Sequence, residues 1–482
     1  MDDPRLYLAL DQGGHASRAI VFDAAGQSVA SAEHPISTQR NGVDLVEHVA
    51  DEVASSIKHV LNDVQAALGS RRMAHVVAVG LATQRSSIVC WNKRTGAPLS
   101  PVISWQDTRA AARLAGWVSR RAAIHQTTGM FPSAHYGASK LAWCVEHIDA
   151  VKCAADAGEL ACGPLASFLA VQLCGPQAAV VDPANAGRTL LWSIANGDWD
   201  DALLSEFSLQ RSWLPRCVST VGDFGPVEAL PGHPPLRAIN GDQSAALFAD
   251  GIPKSGDIFL NAGTGAFIQH PRSERPQGVE RLPVSVVLKD QQRVIYAVEG
   301  TINGAAAALD WVAEVEGLEH WQASAARWLD EVRSPPLFVN GIGGLGSPFW
   351  VSPLASRFIG EGAGPARWVA AVESIVFLAR ANLDEVRASA QVTTRLVISG
   401  GLAMMDGFCQ RVANLCAMVV VRPANKEATA RGIACLLRPG YYWEASPTGA
   451  AADTLFTPKT DRLLEGRYAA WREQIQRIVE QN

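Results

Sequence analysis

An apolar strand, a glycine turn and a returning strand occur twice in this chain, and that repetition limits its fold more than any other feature. Residues 6–10 form a short apolar run ending at Asp11, Gly13 and Gly14 turn the chain, and residues 19–23 read as the second strand of a hairpin. The unit recurs about 250 positions later, where residues 258–261 lead into Gly263, Thr264 and Gly265 and then into residues 266–269. Two such hairpins point to an internal duplication. The chain's 482 residues agree, since a single hydrophobic core stops growing at roughly 250–300 residues and a longer chain divides into domains.

Between the hairpins, apolar runs such as 76–81 and 396–398 alternate with helical stretches, the pattern of mixed α/β layers. The clearest helix spans 368–390. There Val369, Val372, Ile375, Ala379, Leu383 and Val386 recur three or four apart and leave Glu373, Arg380 and Asp384 off the apolar stripe. Residues 222–235 carry four prolines and three glycines and read as irregular connection. The expected boundary falls near the end of that stretch, giving domains over 1–237 and 238–482.

Composition excludes several classes of function. With 48% apolar and 18% charged residues the chain has the makeup of an ordered globular protein. Its 42 basic and 47 acidic residues give a net charge of -5 with no basic run, so nucleic acid is not an expected partner. The opening stretch lacks a signal-peptide pattern, and no segment reaches the roughly 18 apolar residues of a membrane helix, so a cytoplasmic protein without membrane contact is expected. Nine cysteines form no C-x-x-C pair and read as reduced core thiols.

A glycine-rich tip leaves backbone N–H groups open to an anion, and an adjoining carboxylate such as Asp11 can hold a hydrated divalent cation. One such tip is also an ordinary hairpin turn. The chain has three candidates. The second is Gly263-Thr264-Gly265, and the third is Ser399-Gly400-Gly401, between a strand and a helical run over 407–419 whose N-terminus favours phosphate. Three such turns suit a nucleotide with several phosphates. The run Gly341-Ile342-Gly343-Gly344-Leu345-Gly346 matches a dinucleotide fingerprint, but Pro348 and Pro353 follow where its helix should start. No G-x-x-x-x-G-K-S/T string occurs, so a P-loop is absent.

The run LALDQGGHASRAIVFD over 8–23 resembles the opening hairpin of glycerol kinases, within the FGGY family of carbohydrate kinases, through Asp11, Gln12, Gly13, Ser17 and Arg18. Further matches follow in family order. They are Gln84-Arg85, the WQDTR run over 105–109, Asn185-Ala186, Arg188-Thr189, Gly241-Asp242-Gln243, Gly263-Thr264-Gly265, Glu299-Gly300, the GSPFW run over 346–350, Gly400-Gly401 and Ala428-Thr429-Ala430. The resemblance implies an α/β fold of two actin-like, ribonuclease-H-like domains with an ATP and substrate cleft between them. It implies ATP and Mg²⁺ as cofactors and a small polyol or sugar as substrate. Family members often form dimers, which makes a homodimer an expectation.

By the same resemblance Asp242 aligns with the catalytic base, a carboxylate able to take a hydroxyl proton as the oxygen attacks the γ-phosphorus. It could also cap a helix over 243–249. Asp11, with Asp242, would hold Mg²⁺. Gly13, Gly14, Arg18, Gly263, Thr264, Gly265, Gly400 and Gly401 would meet ATP, with Asn414 either reading adenine or facing solvent. Arg85, Ser86, Trp105, His135, Asp242, Gln243 and Phe267 would line the substrate pocket.

Four positions depart from the glycerol kinase pattern. Its glutamate after the arginine is Ser86 here, its pocket tyrosine aligns with His135 or, one step on, Tyr136, and two threonines of its first phosphate turn are Gly14 and His15. Loss of a charged acceptor and more room at Ser86 admit a larger polyol or a ketose. The expected activity is therefore phosphorylation of a glycerol-like hydroxyl. A xylulokinase- or ribulokinase-like activity is the alternative, and a regulator that binds nucleotide or sugar without turnover is a third.

Overall fold

Both glycine tips turn the chain as their composition requires. In the computed structural model, which describes residues 5–42, 44–389, 393–444 and 452–481, β1 (Leu6–Gln12) and β2 (Ala16–Phe22) are antiparallel, with Leu10 opposite Ala19 and Gln12 opposite Ser17. The sheet continues through β3 (Ser28–Pro35) on one side. On the other lie β4 (Val76–Thr83) and β5 (Leu236–Gly241), both parallel to their neighbours. The strand order is β5-β4-β1-β2-β3.

Helix α1 (Ala50–Leu68) joins β3 to β4 and buries Val53, Ile57, Val60, Leu61 and Val64, a set spaced three or four apart, in one cluster with Leu8, Leu10 and Val79 of the sheet. Each such side chain contributes roughly 1.5–3 kcal/mol when fully buried. A second helix, α2 (Gly137–His147), lies beyond β4, and a short one, α3 (Asp242–Ala246), directly follows β5.

The second sheet repeats the plan. β6 (Asp257–Ala262) and β7 (Ala266–Arg272) form an antiparallel hairpin, and five adjacent strands of this seven-stranded sheet run in the order β7-β6-β8-β9-β10 through β8 (Arg395–Ser399), β9 (Val419–Arg422) and β10 (Thr454–Phe456). β8 is parallel to β6 and β9 to β8, as β4 is to β1 and β5 to β4. Each sheet thus carries a hairpin followed by two parallel strands.

Helix α4 (Pro365–Ser389) starts three residues before the expected helix, and Ala390, its expected last residue, lies outside the described residues. The helix is buried well beyond the single stripe its periodicity suggests. Even Glu373 is 1% exposed, and Arg467 of the last helix, α6 (Arg462–Glu480), meets its two oxygens at 2.6 and 2.7 Å. Between α4 and α6 in sequence, α5 (Asp406–Cys416) follows a 3₁₀ turn over Gly401–Met404, so Gly400-Gly401 does not pass straight into the helix.

By packing, residues 5–42, 44–253, 285–296 and 427–444 form one unit, and residues 254–284, 297–389, 393–426 and 452–481 a second. β5, which spans residue 237, and α3, which follows it, both belong to the first unit, because β5 is hydrogen-bonded to β4. The segment 222–235 holds no helix or strand, as its prolines require. All nine cysteines are free thiols, seven of them buried. No helix among the described residues is long and apolar enough to cross a membrane.

Candidate functional site

Parallel strands that end together deliver their following residues to one place, and in the first unit three of them do so. Across β1, β4 and β5, Gln12 pairs with Thr83 and Thr83 with Gly241. Asp11, Arg85 and Asp242 therefore gather at neighbouring strand ends, the position where open α/β sheets bind ligands. Gly241 is required there. A Cβ on it would lie 2.4 Å from Arg85 Cγ and 2.5 Å from Cδ, so only glycine lets the arginine stem cross the strand end.

Asp242 is the first residue of α3. The cap position is Gly241, so Asp242 opens its helix instead of capping it from outside. Its carboxylate accepts the Gln243 backbone N–H at 2.7 Å and that of Arg85. Burial raises its pKa from the ordinary carboxylate range, against the opposing charges of Arg85 and Arg188. A carboxylate so perturbed is a stronger base than an exposed one. Arg188, buried near Tyr136, is a charge partner that its place in the sequence match did not mark as a site residue.

Asp11 is perturbed further. Burial lifts its carboxyl to about 7, assisted by the charges of Asp242 and Glu427 and opposed by Arg18. Because this folded value lies above the ordinary 3.8, the ligand-free protein loses stability as pH rises from about 4 to about 7, and the full cost is present above that window. Asp11→Asn is expected to raise the thermal midpoint at pH 8 by the equivalent of about 1–2 kcal/mol, allowing for partial exposure, with a smaller gain at pH 5. Calorimetry at the two pH values checks this. A lower midpoint at pH 8 would show instead that the ionised Asp11 has a stabilising partner.

Arg18 points to carboxylates of the same unit, with Nε 2.7 Å from Glu33 Oε2 and a guanidinium nitrogen 3.8 Å from Glu427. Gly13 and Gly14 form the half-buried tip beside it, and the Gly13 N–H closes the turn on the Ala16 carbonyl.

The residues after β4 are tied to the segment holding Trp105. Ser86 adopts a left-handed backbone, φ 65°, which is uncommon for a residue other than glycine. Ser87 Oγ accepts the Trp105 N–H at 3.0 Å and donates to Gln84 Oε1 at 3.0 Å. Gln84 Nε2 lies 3.3 Å from Gln12 Oε1. The exposed His135 donates through Nδ1 to the Trp105 carbonyl at 3.0 Å, whereas Tyr136 is buried. Asp107, fully buried, accepts the Val46 N–H and binds Arg109. Gln243 is half-buried beside Asp242.

In the second unit, Gly263-Thr264-Gly265 and Gly400-Gly401 follow β6 and β8, whose last paired residues are Asn261 and Ser399. The two turns are therefore neighbours, with Thr264, Gly400 and Gly401 exposed. Phe267 is half-buried on β7, opposite Asn261. Asn414 lies on α5, and its Oδ1 already accepts from Gln410 Nε2 at 2.7 Å and from the Lys459 N–H at 2.9 Å. The 341–346 glycine run leads into turns and no helix, so its resemblance to a dinucleotide loop is one of sequence only.

Comparison with known proteins decides the family. The N-terminal domain of the FGGY family of carbohydrate kinases matches residues 6–248, and the C-terminal domain of the same family matches residues 259–437. The chain belongs to the FGGY family of carbohydrate kinases. As an FGGY kinase it is a phosphotransferase that uses ATP and an alcohol acceptor. It is 33% identical to a glycerol kinase of Alkalilimnicola ehrlichii, over 98% of this chain and 97% of that one. Among solved structures it is similar to Plasmodium falciparum glycerol kinase with ADP, at a TM-score of 0.86 and 21% identity over 98% of both chains. It is also similar to the xylulose kinase of Rhodospirillum rubrum, at a TM-score of 0.83 and 18% identity over 98% of this chain and 99% of that one. The two-domain FGGY kinase fold is thereby shown for this FGGY kinase, with two sheets built to one plan.

Proposed function

We propose that this FGGY kinase transfers the γ-phosphoryl group of ATP to a hydroxyl of glycerol or a closely similar small polyol. The observation that carries the reading is the convergence of Asp11, Arg85 and Asp242 on neighbouring strand ends, in a chain with 33% identity to a glycerol kinase.

Asp242 accepts the proton of the acceptor hydroxyl as its oxygen forms a bond to the γ-phosphorus. The bond from that phosphorus to the β-γ bridging oxygen breaks, and ADP leaves. The charges of Arg85 and Arg188 favour the ionised Asp242 carboxyl, against its burial. Arg18 is the cation available to offset charge on the transferred group, exchanging Glu33 for phosphate oxygen. Gly13, Gly14, Gly263, Thr264, Gly265, Gly400 and Gly401 supply phosphate-binding turns, and Asn414 contributes to the adenosine end through its amide group. In the first unit, Trp105, Ser86, His135 and Gln243 form the acceptor pocket with Arg85.

The carboxylates of Asp11 and Asp242 fit Mg²⁺. Both are hard oxygen donors, and the charge of one disfavours ionisation of the other, a cost a divalent cation removes. Among the described residues no cluster of three or more acidic, histidine or cysteine side chains forms a protein-only cage. That suits an ion held by one or two carboxylates and the phosphates of its nucleotide. Bound there, Mg²⁺ would neutralise charge on the β- and γ-phosphates. A cytoplasmic site, where ATP is supplied, fits this chemistry.

Ser86 favours a ketose as second reading. A short side chain on a left-handed residue leaves space beside Arg85 that a longer substrate can occupy. ADP release with Mg-ATP, measured against glycerol, erythritol, xylitol, ribulose and xylulose, tests both. The expected result is stimulation by glycerol above all others. Stimulation by a ketulose alone would give the second reading, and ADP release unaffected by any of these compounds would remove the proposed substrate class.

A further inference from the structure

Lys140, on α2, is fully buried, and among the described residues no carboxylate hydrogen-bonds its ammonium. Its ammonium instead donates to two backbone carbonyls, that of Ser86 at 2.8 Å and that of Ser104 at 2.9 Å. These carbonyls belong to two separate loops. One follows β4 and carries Arg85 and Ser86, and the other carries Trp105. A buried ammonium is costly unless its hydrogen bonds are made, and burial pushes the Lys140 pKa down to about 7, with Asp107 opposing and Arg109 assisting. The two carbonyl bonds are what offset that cost.

We infer that Lys140 is the positioning residue that holds the Arg85-Ser86 turn and the Trp105 loop in one register and so sets affinity for the acceptor. The geometry gives each loop a reason to need it. Ser86 is held in a left-handed conformation that few non-glycine residues adopt, and its carbonyl is the atom Lys140 grips. The Trp105 peptide is fixed on both sides, by Ser87 Oγ on its N–H and by His135 Nδ1 on its carbonyl, while Lys140 takes the carbonyl just before it. Ser87 also bonds Gln84, so the clamp and this short relay act on the same two loops. An ammonium suits the place because it is compact and has three donors that can diverge, where a planar guanidinium would need more room.

The inference rests on the reading of Ser86 and Trp105 as acceptor-pocket residues, and its test separates the two. Lys140→Met keeps the stem and removes every donor, and Ser87→Ala frees the Trp105 N–H independently. Amide exchange followed by mass spectrometry should show peptides over 84–88 and 104–107 exchanging on the order of tenfold faster in both variants, with peptides from β1 unchanged. Steady-state kinetics should then show the acceptor KM raised about tenfold and the ATP KM unchanged. Unaltered exchange at both loops would overturn the clamp whatever the substrate is. Faster exchange with an unaltered acceptor KM, or with an equal rise in the ATP KM, would overturn the link to acceptor affinity. Should Lys140→Met fail to fold, Ser87→Ala carries both readouts. Full activity of Asp242→Asn would count against the proposed site while leaving the exchange result to stand for the clamp.

Discussion

Replacing Asp242 by asparagine is expected to lower kcat for acceptor phosphorylation by about 10² to 10⁴, the range typical of losing a positioned general base. The amide keeps the size of the carboxylate and can still accept the Gln243 N–H that Asp242 accepts at 2.7 Å, so α3 has no reason to move. What it loses is the ability to take a proton. The acceptor KM should stay within a few-fold of wild type, because the substitution removes an interaction made chiefly in the transition state. Stability should not fall, since burial already opposes the charged form of this side chain. The direction of that shift also fixes the pH profile. The base form appears only as pH rises through the raised pKa, so wild-type kcat/KM climbs with pH on its acid side, and the residual activity of the variant lacks that limb. ADP release at saturating acceptor, with circular dichroism to verify the fold, measures both. Activity of the variant within tenfold of wild type would exclude Asp242 as the base.

Much of this site was legible because its parts sit in local signals. Asp11, Gly13, Arg85 and Asp242 each follow a short apolar strand, and a strand that ends in glycine or a carboxylate can be read from the sequence alone. The duplicated hairpins were legible for the same reason, and the paired sheets of one plan bear out the duplication. What could not be read was set by contacts between distant segments. Gly241 looks like a turn glycine until the Arg85 stem is seen crossing it. Lys140 lies in a helix whose periodicity says only that it packs, and its partners are carbonyls 54 and 36 positions away. Glu373 falls off the apolar stripe of α4 and is nevertheless buried, because Arg467 arrives from the last helix. The return of residues 427–444 to the first unit leaves no mark in composition, since the helix that does it, Ala428–Cys435, resembles any other small-residue helix.

That returning helix sets up the second large effect. Gly432 lies inside it, where helix propensity alone says that Gly432→Ala should stabilise by about 1 kcal/mol. Packing says the reverse. A Cβ on Gly432 would sit 1.9 Å from the Ala245 carbonyl oxygen and 2.7 Å from its carbon, with the Ala249 nitrogen at 3.3 Å. These are backbone atoms of α3 and its continuation, so no rotamer change can make room. One of the two segments must shift, and overpacking of this kind costs about 1–3 kcal/mol or more. The clash wins, and the first unit's thermal transition is expected to fall by about 5 °C. The same displacement reaches the chemistry, because α3 begins at Asp242 and Thr429 of the returning helix lies 3.4 Å from the Asp242 carbonyl. An error of about 1 Å in a catalytic group can cost 10² in rate. Gly432→Ala should therefore lose kcat and stability together, in contrast to Asp242→Asn, which loses kcat alone. Calorimetry and ADP release on the two variants side by side distinguish the cases, and a raised transition temperature in Gly432→Ala would show that helix propensity outweighs the contact.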